Sequence, residues 1–142
     1  MLVAQGKLEE ALKAYRDGLA IRERLAAADR SNTQWQRDLS ISYNKIGDVL
    51  VAQGNLPEAL KSFRDGLAIA DRLAQADPGN AGWQRDLIVS YVKLAETDPS
   101  QARIFLTRAS EIVQRMQQRG QLAPRDAWLP AVLKQRIEAL PK

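Results

Sequence analysis

Apolar residues recur along the chain at steps of three and four. Leu8, Leu12, Tyr15 and Leu19 step by four, three and four, and Leu56, Leu60, Phe63 and Leu67 repeat those steps. Trp35, Leu39, Tyr43, Ile46 and Leu50 form a further stripe. An apolar stripe at this spacing is one face of a helix with 3.6 residues per turn. No segment sustains period-two alternation rich in β-branched residues, so strands are not expected. The breakers fall between the stripes. Gly54-Asn55 precedes Leu56-Pro57-Glu58, where Pro57 suits a first helical turn and Asn55 an N-cap. Asp77-Pro78-Gly79-Asn80 closes one helix and caps the next, and Arg30-Ser31-Asn32-Thr33 holds the same place earlier. The pattern predicts helices near 8–28, 33–53, 57–76, 81–97, 100–119 and 126–140. Short connections make sequential helices antiparallel neighbours.

The stripes belong to an internal repeat. Leu2-Val3-Ala4-Gln5-Gly6 returns as Leu50-Val51-Ala52-Gln53-Gly54, and Trp35-Gln36-Arg37-Asp38-Leu39 returns as Trp83-Gln84-Arg85-Asp86-Leu87. At an offset of 48 residues, 30 of the 48 pairs from 2/50 to 49/97 are identical. A period between about 20 and 50 residues signals a stacked array.

Inside the repeat, Tyr43, Ile46-Gly47, Leu50, Gly54, Ala59, Phe63 and Gly66 follow one another at fixed spacing. That succession resembles the helix-pair signature of the tetratricopeptide repeat family. Leu2, Gly6, Ala11, Tyr15 and Gly18 supply the second half of an earlier copy. Tyr91 and Leu94-Ala95, then Ala102, Leu106 and Ala109, supply a third without the glycine turn. The small residues allow close helix approach and the aromatics fill the space between pairs. The usual repeat is about 34 residues, so the extra length lies in longer helices. The resemblance implies an all-α, antiparallel helical-hairpin solenoid, a right-handed superhelix. Its expected divisions are repeats over 1–119 (1–31 truncated, 32–79, and a shortened 80–119) and a C-terminal capping helix over 120–142. Long-helix arrays of this kind resemble segments of bacterial signalling and assembly proteins.

Both ends of the pattern are unusual. Met1–Gln5 matches only the end of a helix whose full version spans Asn32–Gln53, so Leu8, Leu12, Tyr15 and Leu19 are expected to lack a partner. Either an array continues upstream or the stripe meets another chain, possible homo-oligomer formation through this edge being the second functional reading. At the other end, Asp126 is expected to cap a last helix carrying Leu129, Leu133, Ile137 and Leu140, which covers the final apolar face.

Composition narrows the chemistry. The 142 residues contain no cysteine and no histidine, which removes thiol nucleophiles, Ser-His-Asp triads and Cys/His zinc sites. The glycines form neither a phosphate loop nor a dinucleotide fingerprint. The expectation is no enzyme, no cofactor, no metal and no small-molecule substrate. No apolar run is long enough for a signal peptide or a membrane span, so a soluble cytoplasmic protein is expected. Net charge is +4; residues 99–142 hold eight basic and three acidic side chains. Arg108, Arg115 and Arg119, with Arg103 nearby, share a helix face, but Glu111 lies beside them and no aromatics interleave, so a solvated face is expected rather than nucleic acid. Trp35, Trp83 and Trp128 are expected to pack in the core.

The row opposite the stripe of the second helix is Arg37, Ile41, Asn44 and Asp48, flanked by Lys45. On the fourth helix it is Arg85, Val89, Val92 and Glu96, flanked by Lys93. The resemblance implies that these ten residues line a concave groove that takes a peptide or helix of a partner protein, making the chain an interaction scaffold. Some members of the family hold a C-terminal carboxylate with Lys, Asn and Arg. Lys45, Asn44 and Lys93 match parts of that set, while Val92 replaces the second Asn and Asp48 and Glu96 repel an acidic terminus.

Overall fold

In the computed structural model, which describes residues 2–141 and the side chains from Gln5 onward, the chain is all-α. Met1 and Lys142, the outer ends of the expected divisions, lie outside the described residues. The described helices are α1 (Leu2–Ala28), α2 (Thr33–Ala52), α3 (Leu56–Ala76), α4 (Ala81–Thr97), α5 (Ala102–Gln118) and α6 (Leu129–Glu138). Short 3-10 turns at Pro99–Gln101 and Pro124–Asp126 precede α5 and α6. The chain divides into two compact units, residues 1–73 and 74–142.

The helix ends follow from local chemistry. The carbonyl side chains of Asn32 and Asn80 accept from the N–H groups of Trp35 and Trp83, each at 3.0 Å. Each bond satisfies one of the donors left open at a helix start. At the other end of α2, Gly54 adopts φ +79°, the Asn55 N–H reaches the Leu50 carbonyl at 2.9 Å, and the Gly54 N–H reaches Val51 at 2.9 Å. Gly120 closes α5 with the same pair of bonds, from Gln121 to Met116 and from Gly120 to Gln117. Both are Schellman ends, where a left-handed residue returns the chain and glycine adopts that conformation without a Cβ clash.

In the N-terminal unit, α2 lies between α1 and α3. Its stripe of Leu39, Ile46, Gly47, Val49 and Leu50 is buried. A Cβ on Gly47 would stand 2.4–2.7 Å from three ring carbons of Phe63, so the missing side chain sets the approach of α2 to α3. Polar bonds join the same interface: Ser40 Oγ donates to the Gly66 carbonyl at 2.9 Å and Ser62 Oγ to the Tyr43 carbonyl at 2.6 Å. The buried Gln36 amide donates to the Ala26 carbonyl at the end of α1. In the C-terminal unit α5 packs on α4 and α6 packs on α5. Gln84 repeats the Gln36 bond, donating to Ala74 at 3.0 Å. Leu94, Ala109, Val113 and Leu133 form the centre of this unit.

Four expectations are corrected. The identical pentapeptides 2–6 and 50–54 do not share a conformation: α1 runs unbroken through Gly6, whereas Gly54 terminates α2. A Cβ at either glycine would meet nothing within 4 Å; the difference lies beyond the glycine, where the chain after Gly54 turns back to bond α3 to α2 through Ser62 and Gly66, while α1 continues through Gly6. The open stripe of α1 is also rotated from the expected one. Leu8, Leu12 and Leu19 are half-buried, and exposure falls on Tyr15, Ile21 and Leu25. Finally, Asp126 does not cap α6. It sits in the 3-10 turn, buried, and receives Arg85 instead. Trp128 takes the N-cap position, outside the Leu133 stripe, and its side chain is exposed rather than packed.

A candidate peptide-binding face on the repeat helices

The ten residues singled out from the sequence divide equally between α2 and α4. On α2, the buried stripe fixes one side of the helix, and the opposite side carries Ile41, Lys45 and Asp48 exposed and Arg37 half-buried. Spacing explains the placement, since positions 37, 41, 45 and 48 lie about one turn apart. Lys45 leans toward α1, its Nζ 6.0 Å from the Tyr15 ring centroid, at the edge of cation–π range. Asn44 turns the other way. Its Oδ1 is buried without a hydrogen-bond partner and lies 2.9 Å from the Cβ position of Gly66 on α3. Asn44 is therefore a side-wall residue of the α2–α3 contact, and Arg37, Ile41 and Asp48 remain along the centre of the row.

The α4 row is organised differently. Val89, Val92 and Lys93 are half-buried. Both charged ends of the row are engaged by the C-terminal segment. Arg85 Nε donates to Asp126 Oδ2 at 3.1 Å, with the carboxylate 7% exposed, and Arg136 Nη1 donates to Glu96 Oε1 at 3.1 Å. The pairing order, 85 with 126 and 96 with 136, makes α6 run parallel to α4, as successive first helices do in a hairpin array. Sequence reading missed both pairs. Their partners are 41 and 40 residues apart, and Asp126 carries the sequence signature of a helix cap.

Elsewhere in the N-terminal unit the surface is concave on the side of α1 and α3. One cleft of about 250 Å³ runs past Leu19, Tyr43, Ile46 and Leu50, and another of about 550 Å³ past Glu23, Arg30, Gln36 and Arg72. Tyr43 is their most perturbed group. Its hydroxyl donates to Glu23 Oε1 at 3.0 Å, and burial followed by that bond pushes its pKa up to about 12. A tyrosine held neutral in this way is a structural bridge between α1 and α2 rather than an acid or base near neutral pH.

The asparagine caps of α2 and α4 and the small residues at Gly47 and Ala95 thus recur with the sequence repeat. The tetratricopeptide repeat family model matches residues 1–29 and 40–78. Those residues are tetratricopeptide repeats. The interrupted match reflects the long repeat, because residues 30–39 between the matched segments hold the Asn32 cap and the extra first turns of α2 around Trp35. No curated protein and no solved structure matches the chain significantly. Tetratricopeptide repeats are scaffolds that mediate protein–protein interaction. Among the described residues no helix is long and apolar enough to cross a membrane.

Proposed function

We propose that this tetratricopeptide protein is an interaction scaffold that takes a peptide or helix of a partner protein along the outer row of α2. The observation that carries the reading is Ile41. It is exposed in the middle of a row of charged residues, on the side of α2 turned away from its buried stripe. A purely solvated helix face gains nothing from a β-branched apolar residue there, whereas a binding surface gains an apolar anchor flanked by charge. Arg37 and Lys45 above and below it, with Asp48 one turn on, suit a ligand of mixed charge. On α4, Val89 and Val92 repeat the aliphatic spots while the ends of the row are held by Asp126 and Arg136.

The test is a ligand selected on the full chain from a display library of helical and extended peptides. Ile41→Asp is expected to weaken the selected ligand by about tenfold or more, the equivalent of one well-buried aliphatic contact. Arg37→Glu should weaken it further and reduce the salt dependence of binding. Arg85 is a poor site for charge reversal, because a carboxylate there would face buried Asp126. Unchanged affinity in both α2 variants would place the binding surface elsewhere.

A further inference from the structure

Charge recurs every seven residues along the two walls of the cleft between α1 and α3. Arg16 and Glu23 on α1 are followed by Arg30 just past its end, and Glu58, Asp65 and Arg72 follow 42 positions later on α3. Seven residues of helix rise about 10 Å and return to nearly the same face. The fold sets the two rows against each other. Arg16 Nη2 donates to Glu58 Oε2 at 3.3 Å. Glu23 and Asp65 both bear on the Tyr43 hydroxyl between them. Arg30 and Arg72 both line the cleft of about 550 Å³, where Gln36 and Leu39 of α2 also lie. The first pair across the cleft is therefore opposite in charge, the second acidic on both sides and the third basic on both sides. Facing like charges repel, so the second and third pairs do nothing to hold α1 against α3. The following copy keeps neither of them. Its counterparts of Glu23 and Arg30 are Asp71 and Pro78, and those of Asp65 and Arg72, aligned through Ala102, Leu106 and Ala109, are Arg108 and Arg115. The like-charged pairs belong to this cleft and not to the repeat.

We propose that this cleft binds a linear zwitterion with a short apolar body, its ammonium between Glu23 and Asp65 and its carboxylate between Arg30 and Arg72. A cation at one pair and an anion at the other remove both repulsions at once. The volume lies within the range of small-ligand sites, about 300–1,000 Å³. Ala26, Ala27 and Leu39 give the ligand's body an apolar bed. One member of each pair is already held in place. Glu23 Oε1 accepts from Tyr43 at 3.0 Å, and Arg72 Nη2 donates to the buried Gln36 side chain at 3.1 Å. The other members, Asp65 and Arg30, form no hydrogen bond or ion pair among the described residues, which leaves their charges for a ligand. A guanidinium pair suits a carboxylate, which each arginine can meet with two parallel bonds. The spacing along α3 from Asp65 to Arg72 sets the ligand's length at about 10 Å between charges. An ω-amino acid of about eight carbons and an unblocked tripeptide both have that span. The cleft lies on the opposite side of α2 from the Ile41 row, so this proposal and the one above stand or fall separately.

The test titrates 8-aminooctanoate into the isotope-labelled full chain and follows amide shifts. Saturable shifts are expected at residues 23, 26, 30, 36 and 72. Octanoate and octylamine, which each lack one charge, should bind about tenfold or more weakly, and so should 4-aminobutyrate, which is too short to reach both pairs. Two variants separate the charges. Asp65→Asn should remove most of the preference for 8-aminooctanoate over octanoate, and Arg30→Gln most of the preference over octylamine. Neither side chain holds the fold together, so circular dichroism should show helicity unchanged in both. Trialanine with free ends tells the two sources apart: tighter binding than 8-aminooctanoate assigns the cleft to an unblocked peptide, and weaker binding to an ω-amino acid. Three results would overturn the proposal. The first is no saturable shift at the cleft with any of these zwitterions. The second is octanoate or octylamine binding as tightly as 8-aminooctanoate. The third is a set of preferences that Asp65→Asn and Arg30→Gln leave unchanged.

Discussion

Phe63 shows how single positions set this structure. Its ring occupies the space a side chain at Gly47 would fill, so the two are coupled. The third copy carries Ala95 and Leu106 at the same places, a larger small residue with a smaller large one, and both are buried. Gly47→Ala is therefore expected to destabilise the chain by about 1–3 kcal/mol through overpacking, although alanine is the better helix former. Adding Phe63→Leu should restore part of that loss, and a double-mutant cycle from denaturant melts measures the coupling. Additive losses would mean that the ring does not set the approach. Tyr43 gives a second residue-scale expectation. Its pKa rises from the usual 10 to about 12 in the folded chain, so the folded state binds the proton more tightly. The associated stability is intact below pH 10 and is lost as pH rises from 10 toward 12. Melts of the parent should fall faster over that window than those of Tyr43→Phe, which has no proton to lose. At this scale the candidate row was partly legible in the sequence. Helical spacing placed Arg37, Ile41, Lys45 and Asp48 opposite the buried stripe. It could not show that Asn44, at the edge of that arc, turns against Gly66, or that Arg85 meets a carboxylate 41 residues away.

Among the elements, helices and their ends were written most clearly. Asn32 and Asn80 cap α2 and α4, Gly54 and Gly120 end α2 and α5, and each is a local signal whose physics acts within a turn. The signal failed where tertiary contact decides. Residues 2–6 and 50–54 are the same pentapeptide, yet one continues a helix and the other ends one. Opposite outcomes follow for one substitution. Gly6→Ala, in a helix interior with open space at its Cβ, should stabilise by about 0.5–1 kcal/mol. Gly54→Ala, at φ +79°, should destabilise by about 1 kcal/mol or more. Thermal melts of the two variants would show the contrast; shifts of the same sign would contradict the assignment of Gly6 to α1. The last helix was blurred for a related reason. Asp126 has the composition of a cap, but burial beside Arg85 draws it into the 3-10 turn, and α6 begins three residues later than the sequence suggests.

For the molecule as a whole, duplication of a 48-residue unit accounts for the repeated helix pairs, and the copies differ at particular positions. Many positions repeat unchanged, but the buried Ser40 and Gly47 and the half-buried Asn44 of α2 become Ile88, Ala95 and Val92 of α4. The outer rows differ as well: that of α4 is tied at both ends to the C-terminal segment, and that of α2 presents Ile41 between charges. The central claim is that the outer row of α2 receives a partner. At 15.8 kDa the chain suits amide chemical-shift mapping, in which a ligand from the peptide selection is titrated into labelled protein. The account predicts that the largest shifts fall on residues 37, 41, 45 and 48. Shifts confined to the α1–α3 side of the N-terminal unit, around the cleft at Leu19, Tyr43 and Leu50, would contradict it.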